Sequence, residues 1–223
     1  MKRILCIIMA LVLVFSMSGC IGGKSQAEKI AKNFMDAYCE FNLKEAFSYL
    51  ENQEEHTLPF ETFDNLIETT RATMEEGEVV DGMNSYVDKF IVPIYTKFVE
   101  KLTYSISNIE KAEDKFIVNV NLETINAENI STNELNFEEI MSELATELTE
   151  NGTLNAEMSQ DDFLAVIMEH APEKMATKMI ALLDNAGTQT KAIKLVIKKA
   201  DGKYLITDES DLDILLSSTN LNM

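Results

Sequence analysis

The sequence predicts an α+β fold in which N-terminal helices pack on a curved antiparallel sheet of about four strands. Apolar residues recur at helical spacing, alternate with polar residues over 102–123, return to helical spacing, and alternate again over 193–206. Strands grouped in hairpins, with the helices set apart from them, are typical of an antiparallel sheet. Because an isolated hairpin is marginally stable, we expect both hairpins to share one sheet, with residues 127–188 as a helical insertion between them.

Three helical segments precede the first hairpin. Ser25 and Glu28 have the spacing of a capping box, which predicts that the first helix begins there. The apolar pattern of this helix breaks near Asn42 and then resumes as far as Leu50. Pro59 suits the first turn of a second helix. A third helix is expected over 83–102, with a kink or division at Pro93.

Two pairs of alternating segments predict the hairpins. Glu113-Asp114 is the expected turn of the first pair, and Asp201-Gly202 is a two-residue turn signal in the second. Residues 211–216 are expected to form either a short final helix or the end of a strand. The apolar strand positions are Leu102, Tyr104 and Ile106, then Phe116, Val118, Val120 and Leu122, then Ile193, Leu195 and Ile197, and finally Tyr204 and Ile206.

The insertion contains start and stop signals for three helices. Asn136 is the expected N-cap of the first, which ends at Gly152. Ser159 is the expected N-cap of the second, and Pro172 is expected to start the third. Gly187 follows the last apolar position and should stop that helix.

The N-terminus has the organisation of an export signal. Lys2-Arg3 precedes an apolar run, Ile4–Met17, which is shorter than the roughly 20 residues that span a bilayer. The run ends in Met17-Ser18-Gly19-Cys20, and small residues before a cysteine at this place resemble the lipobox of bacterial lipoproteins. Residues 1–19 are therefore expected to be a signal peptide. The alternative is an ordinary secreted protein in which the cysteine is incidental.

The lipobox resemblance implies a lipid anchor at the outer face of the bacterial cell membrane. Cleavage after Gly19 would leave Cys20 with a diacylglycerol on its sulfur, and two acyl chains anchor a protein stably. Residues 20–24 would then be a short flexible tether, followed by one domain over 25–223. After cleavage Cys39 is the remaining free thiol, so the domain must rely on its apolar core rather than on a disulfide.

The net charge restricts the partners. The chain carries −19, and removal of Lys2 and Arg3 leaves 17 basic and 38 acidic side chains, or −21. Such a surface argues against nucleic acid, which basic patches bind, and as a whole it is repelled by anionic lipid. The charge either attracts cations and basic partners or keeps the domain soluble.

Residues with catalytic or metal-binding potential form no recognisable motif. His56 and His170 lack metal-ligand spacing, and phosphate-loop, nucleophile-elbow and zinc-protease patterns are absent from the sequence. An acidic cluster near the C-terminus is interpreted as a solvated turn, with Ca²⁺ as the alternative; its members are Asp208, Glu209, Asp211 and Asp213. We therefore assign no catalytic, cofactor or metal residue.

Methionines concentrate in the insertion, at Met141, Met158, Met168, Met175 and Met179. Methionine-rich surfaces adapt to several partners. Methionines at helical spacing are otherwise core residues, and both interpretations stay open.

Two segments carry a resemblance to the NTF2-like (cystatin-like α+β) superfamily. Ala27–Leu50 resembles the opening helix of that superfamily, and Val196–Ile206, with Tyr204 after Gly202-Lys203, resembles its closing hairpin. The superfamily includes ketosteroid-isomerase-like enzymes, binding modules and domains that bind protein partners, so the fold does not define the function.

Three functions follow from this resemblance and from the export signal. The favoured one is a non-catalytic module that binds an apolar ligand or an envelope protein. The second is an isomerase that uses a carboxylate inside the cone, but Glu123, at the outer end of a strand, is the only acidic residue among the strand positions considered. The third is a purely structural envelope protein.

Overall fold

The computed structural model describes residues 22–53, 61–75, 85–130 and 135–219. Within them it confirms the α+β class, with seven helices and a four-stranded antiparallel sheet. The helices are α1 (22–39), α2 (Leu43–Phe47), α3 (Phe63–Glu75), α4 (85–100), α5 (Phe137–Glu150), α6 (Gln160–Asn185) and α7 (Leu212–Thr219). The strands are β1 (Thr103–Ala112), β2 (Lys115–Ile125), β3 (Thr188–Ala200) and β4 (Lys203–Ile206).

The sheet has the strand order β1-β2-β3-β4, so each strand pairs with its neighbours in sequence. Both predicted turns are confirmed, and Asp201 and Gly202 have φ values of 49° and 83°. Positive φ at both central residues is what a type I′ hairpin turn requires. Residues 126–187 connect the two hairpins and contain α5 and α6, which confirms the predicted helical insertion.

The chain divides into two compact units, and the unit boundaries fall within three strands, β1, β2 and β3. Among the described residues, unit 1 contains 22–53, 104–122 and 191–219, and unit 2 contains 61–75, 85–103, 123–130 and 135–190. The single domain expected over 25–223 stays a prediction.

The core of unit 1 forms between α1 and alternate positions of the strands. Ala27, Ala31 and Phe34 lie one or two turns apart along α1 and are fully buried. On β2, the even-numbered positions from Phe116 to Leu122 are buried and the intervening ones are partly exposed, as the alternation predicts. The Tyr38 hydroxyl donates to the carbonyl of Leu215 at 2.7 Å, so α7 is tied to α1.

The N-terminal end of α1 differs from the prediction. Residue 22 is already helical, so Ser25 lies inside the helix rather than capping it, and residues 22–24 are not a flexible tether. Gly23 is buried, and a Cβ atom there would lie 2.9 Å from Phe116 Cζ and 3.1 Å from the Tyr204 hydroxyl oxygen. Tertiary packing of this glycine against two rings therefore extends the helix past its local capping signal.

The predicted break after α1 is confirmed. Phe41 has a φ of 58° although it is not a glycine, and its side chain is buried. Asn42 caps α2, because its Oδ1 accepts the backbone N–H of Glu45 at 3.3 Å. Burial of the ring offsets the cost of a left-handed backbone at this position.

The edge of β3 is completed by side chains that follow β4. β4 pairs with β3 only from Ile197 to Ala200. Before this stretch, the Val196 N–H donates to Ser210 Oγ at 2.7 Å and the Lys194 N–H donates to Asp211 Oδ2 at 2.8 Å. Val196 is buried, so Ser210 Oγ satisfies a donor that water cannot reach, whereas the Lys194 donor lies on the exposed side of the strand.

Unit 2 contains α3, α4, α5 and α6, and α6 packs against both α4 and α5. The division expected at Pro93 takes the form of a π-helical turn at Val87–Ile91, where Val92 N–H donates to the carbonyl of Val87. Proline lacks the donor that a regular helix needs, and the wider turn directly precedes it. The predicted helix start at Pro59 lies outside the described residues.

We expect Gly23→Ala to lower the free energy of unfolding by about 1–3 kcal/mol, because the added methyl overpacks against the Phe116 ring. Gly22→Ala is the matched control, since a Cβ atom at Gly22 meets nothing within 4 Å. Chemical denaturation of both variants measures the difference. Equal stabilities would show that Gly23 is not held as described.

Ser210→Ala leaves the buried Val196 N–H without an acceptor, so we expect a loss of about 1–3 kcal/mol in the free energy of unfolding. Ser105→Ala, at an exposed serine on β1, should change it by less than about 0.5 kcal/mol. Urea unfolding of both variants compares the two losses. An unchanged Ser210→Ala variant would contradict a role for the hydroxyl at the edge of β3.

Candidate functional site

The helices α5 and α6 of unit 2 present the candidate binding surface, and local capping sets their ends. Asn136 Oδ1 accepts the Glu139 N–H at 3.3 Å, and Ser159 Oγ accepts the Asp162 N–H at 3.1 Å, which confirms both predicted N-caps. Gly152 follows α5 with a φ of 80°, and Gly187 follows α6 with a φ of 70°.

An apolar cluster holds α5 against the first half of α6. Leu144 and Leu148 of α5, Leu154 of the connection and Ala171 of α6 are buried together. Met141, Ala145, Met158, Val166 and Ile167 are partly buried against them. Met141 and Met158 therefore belong to the packing of the helix pair.

Lysines of α6 and glutamates of α5 pair along the solvent side of this contact. Glu143 lies 3.0 Å from Lys178 and 3.4 Å from Lys174, and Lys174 also pairs with Glu147. The hydrogen bond from Lys178, helped by Lys174, lowers the pKa of the Glu143 carboxyl. Hydrogen bonding to Glu147 in turn raises the pKa of Lys174. These carboxylates are used for helix pairing.

The expectation that Pro172 starts a separate helix is wrong, because α6 runs without interruption from Gln160 to Asn185. Pro172 is buried inside α6, where it removes the donor to the Met168 carbonyl. Lys89 of α4 donates its Nζ to the neighbouring Glu169 carbonyl at 3.2 Å. This donor reaches the carbonyl next to the one that Pro172 leaves without its helical partner. His170 lies in the middle of α6.

The first half of α6 also carries large apolar side chains that face solvent. Phe163, Leu164 and Met168 are 40%, 50% and 63% exposed; we call them the α6 apolar surface. Leu164 and Met168 are four residues apart and share one helix face. Acidic residues lie beside them in sequence: Asp161, Asp162 and Glu169.

Periodicity alone missed this surface. Helical spacing places Phe163, Val166, Ile167 and His170 on one face, but Phe163 is substantially exposed. The available signal was the continuous run of apolar residues from Phe163 to Met168. Such a run places apolar side chains on both sides of a helix, and one partner helix cannot bury both.

Three of the C-terminal acidic residues each contact a different partner. Glu209 pairs with Lys115, Asp211 accepts the Lys194 N–H, and Asp208 accepts from Asn52. Pairing with Lys115 lowers the pKa of the Glu209 carboxyl. Within the described part of the chain, no group of three or more His, Cys, Asp or Glu side chains is arranged to hold a metal ion.

Glu123, the strand carboxylate that an isomerase would need, lies on the solvent side. It is exposed and accepts a hydrogen bond from the Thr103 hydroxyl at 3.3 Å. Asn119 and Asn121 share its strand face and are partly buried. A general base with a raised pKa is normally desolvated, and Glu123 lacks that environment.

Cys39, the remaining free thiol, is half-buried on α1. Burial, followed by the nearby carboxylates of Asp36 and Glu40, raises the pKa of this thiol to about 12. The thiol therefore stays protonated and weakly nucleophilic at neutral pH.

Cys20, the export segment and His56 lie outside the described residues. Among the helices that the structure describes, none has the length and apolar character to cross a bilayer. No family model, curated protein or solved structure matches this chain. The NTF2-like and lipobox resemblances therefore stay predictions that rest on the residues quoted for them.

Proposed function

We propose that this chain is an exported lipoprotein, acylated on Cys20 and held at the outer face of the bacterial cell membrane, where it acts as a non-catalytic module that binds another envelope protein. The support for the anchor is in the sequence: Lys2-Arg3, the apolar run Ile4–Met17, and Ser18-Gly19 directly before Cys20. The NTF2-like resemblance agrees with such a module, since that superfamily includes domains that bind protein partners.

The observation that carries the binding role is the α6 apolar surface. Single exposed apolar residues are ordinary, but adjoining ones mark interaction sites. Leu164 and Met168 share a helix face, and Phe163 is their immediate neighbour. Methionine adds adaptability, because its unbranched thioether fits irregular apolar surfaces.

The charge beside the α6 apolar surface indicates the chemistry of the partner. Asp161, Asp162 and Glu169 adjoin the apolar side chains, and the mature chain carries −21, from 17 basic and 38 acidic residues. A partner with an apolar contact flanked by basic groups is complementary to this arrangement. An anionic ligand or nucleic acid is not.

A ligand carrier and an isomerase have less support. Two grooves along α5 are shallow, open to solvent and lined by polar residues such as Glu139, Ser142 and Thr149. Ligand sites are typically concave and largely apolar. Glu123 is exposed, whereas the carboxylate base of such an isomerase lies inside the cone.

The anchor is tested by replacing its attachment atom. In Cys20→Ser the sulfur that would carry the diacylglycerol is absent, so we expect the protein to leave the membrane fraction and to lose the diacylglycerol mass. Intact-mass spectrometry and fractionation measure both, and Cys39→Ser is the control that should keep them. A wild-type chain that begins at another residue or lacks acyl groups would refute the lipoprotein assignment.

The binding role is tested with a photo-crosslinking residue at Met168 of the full-length protein in its own membrane. We expect a discrete adduct from Met168 and none from Thr177, an exposed polar position on the same helix. Leu164→Asp should abolish the adduct without changing the melting temperature, because Leu164 is half exposed and surface changes cost little stability. Equal labelling at both positions, or an adduct that survives Leu164→Asp, would contradict the proposal.

A further inference from the structure

The geometry points to a defined membrane-facing end of unit 1: in the acylated protein, the two hairpin turns, Glu113-Asp114 and Asp201-Gly202, lie next to the bilayer. The inference rests on the proposed acylation of Cys20, and it adds an orientation that acylation alone does not imply. A long flexible tether would let the domain rotate freely, whereas a short rigid connection would not.

The connection between anchor and fold is very short. Residue 22 is already helical, and Cys20 precedes it by two positions, so their Cα atoms are at most about 7 Å apart. Gly23 is buried, and Phe116 and Tyr204 occupy the space that a Cβ atom at this position would need. Gly23 is therefore held against the two rings, and covalent geometry limits how far an anchor on Cys20 can lie from them.

The positions of Phe116 and Tyr204 show which end of the sheet lies next to Gly23. Phe116 is the second residue of β2, directly after the first hairpin turn, and Tyr204 is the second residue of β4, directly after the second turn. In an antiparallel sheet of order β1-β2-β3-β4, both turns lie at the same end. The ring centroids are 6.2 Å apart, which brings the starts of these strands together beneath Gly23.

The local charge at this end suits a bilayer surface although the whole domain does not. Lys115 pairs with Glu209, and Lys198 pairs with Asp114 at 2.9 Å and lies near Glu51. Each of these ion pairs joins a lysine and a carboxylate beside the hairpin turns.

The mature chain contains 17 basic and 38 acidic residues, a net charge of −21. Screening limits electrostatic forces to about 10 Å at moderate salt, so the charges nearest the lipid decide the contact. At the hairpin turns Asp114 and Glu209 are paired with lysines, whereas an acidic surface without such pairs is repelled from an anionic bilayer.

The experiment measures the distance of two positions of unit 1 from the lipid headgroups. In a Cys39→Ser background, Cys20 is blocked by its lipid, so Lys203→Cys or Ala192→Cys provides one label site; both positions are exposed. Lys203 pairs with Ala200 at the hairpin end, and Ala192 lies eight residues back along β3, about 27 Å away. The acylated proteins are reconstituted in mixed phosphatidylglycerol and phosphatidylcholine vesicles that carry a headgroup energy acceptor.

We expect clearly higher energy transfer from position 203 than from position 192. A Gly-Ser spacer inserted directly after Cys20 should remove most of this difference while leaving the protein bound to the vesicles. Equal or reversed transfer from an acylated, vesicle-bound protein would overturn the orientation and leave the proposed function intact. Absence of acyl mass on the mature chain would instead refute the proposed lipoprotein, so the two failures are distinguishable.

Discussion

Unit 1 depends on the hydrogen bonding of β3. Leu195, Val196 and Ile197 are consecutive and almost fully buried, so both faces of the strand are covered over this stretch and the Val196 N–H needs an acceptor from the protein. β2 supplies partners on one side. On the other side β4 is only four residues long, and Ser210 and Asp211 supply the acceptors that a longer strand would have provided. The turn after β4 therefore stabilises the sheet, although the sequence pattern alone indicates only a solvated acidic turn.

The short strand β4 is itself protected at its outer edge. Ile206 donates its N–H to the Tyr49 carbonyl at 2.9 Å, and Glu51 donates to the Ile206 carbonyl at 2.8 Å. An uncovered edge strand would be a template for association with other chains. The segment after α2 thus satisfies part of this edge, and it does so with backbone groups that no side-chain pattern reveals.

The two halves of α6 differ in their surroundings. In the second half, Lys174 and Lys178 pair with α5, and Asp184 pairs with Lys97 of α4 and with Lys101, which directly follows α4, at 3.0 Å each. Exposed pairs of this kind contribute modestly to stability, so the apolar cluster holds the helices together. In the first half of α6, α5 covers some of the apolar side chains and leaves others exposed. The surplus forms the α6 apolar surface.

The sequence by itself determined the α+β class, both hairpin turns, the caps at Asn136 and Ser159, and the stops at Gly152 and Gly187. These features depend on local chemistry: alternation, positive φ at turn residues, and a side-chain oxygen three residues before a free N–H. The export signal at the N-terminus likewise depends on residues adjacent in the chain, and it remains a proposal. Asp208 and Glu209 lie in a turn, whereas Asp213 lies in the first turn of α7, and the interpretation of this acidic cluster stays a prediction.

Tertiary structure alone decided that residues 22–24 are helical rather than a tether, that α6 passes through Pro172, and which methionine faces solvent. In each case contacts between residues far apart in sequence accompany the departure from a local signal. Gly23 packs against Phe116 and Tyr204 within the helical segment 22–24. Burial beside the α5 cluster keeps Pro172 inside a continuous helix. Met168 is exposed while Met141 and Met158 pack inward, because the geometry of the helix pair, rather than residue type, determines which side of α6 is covered.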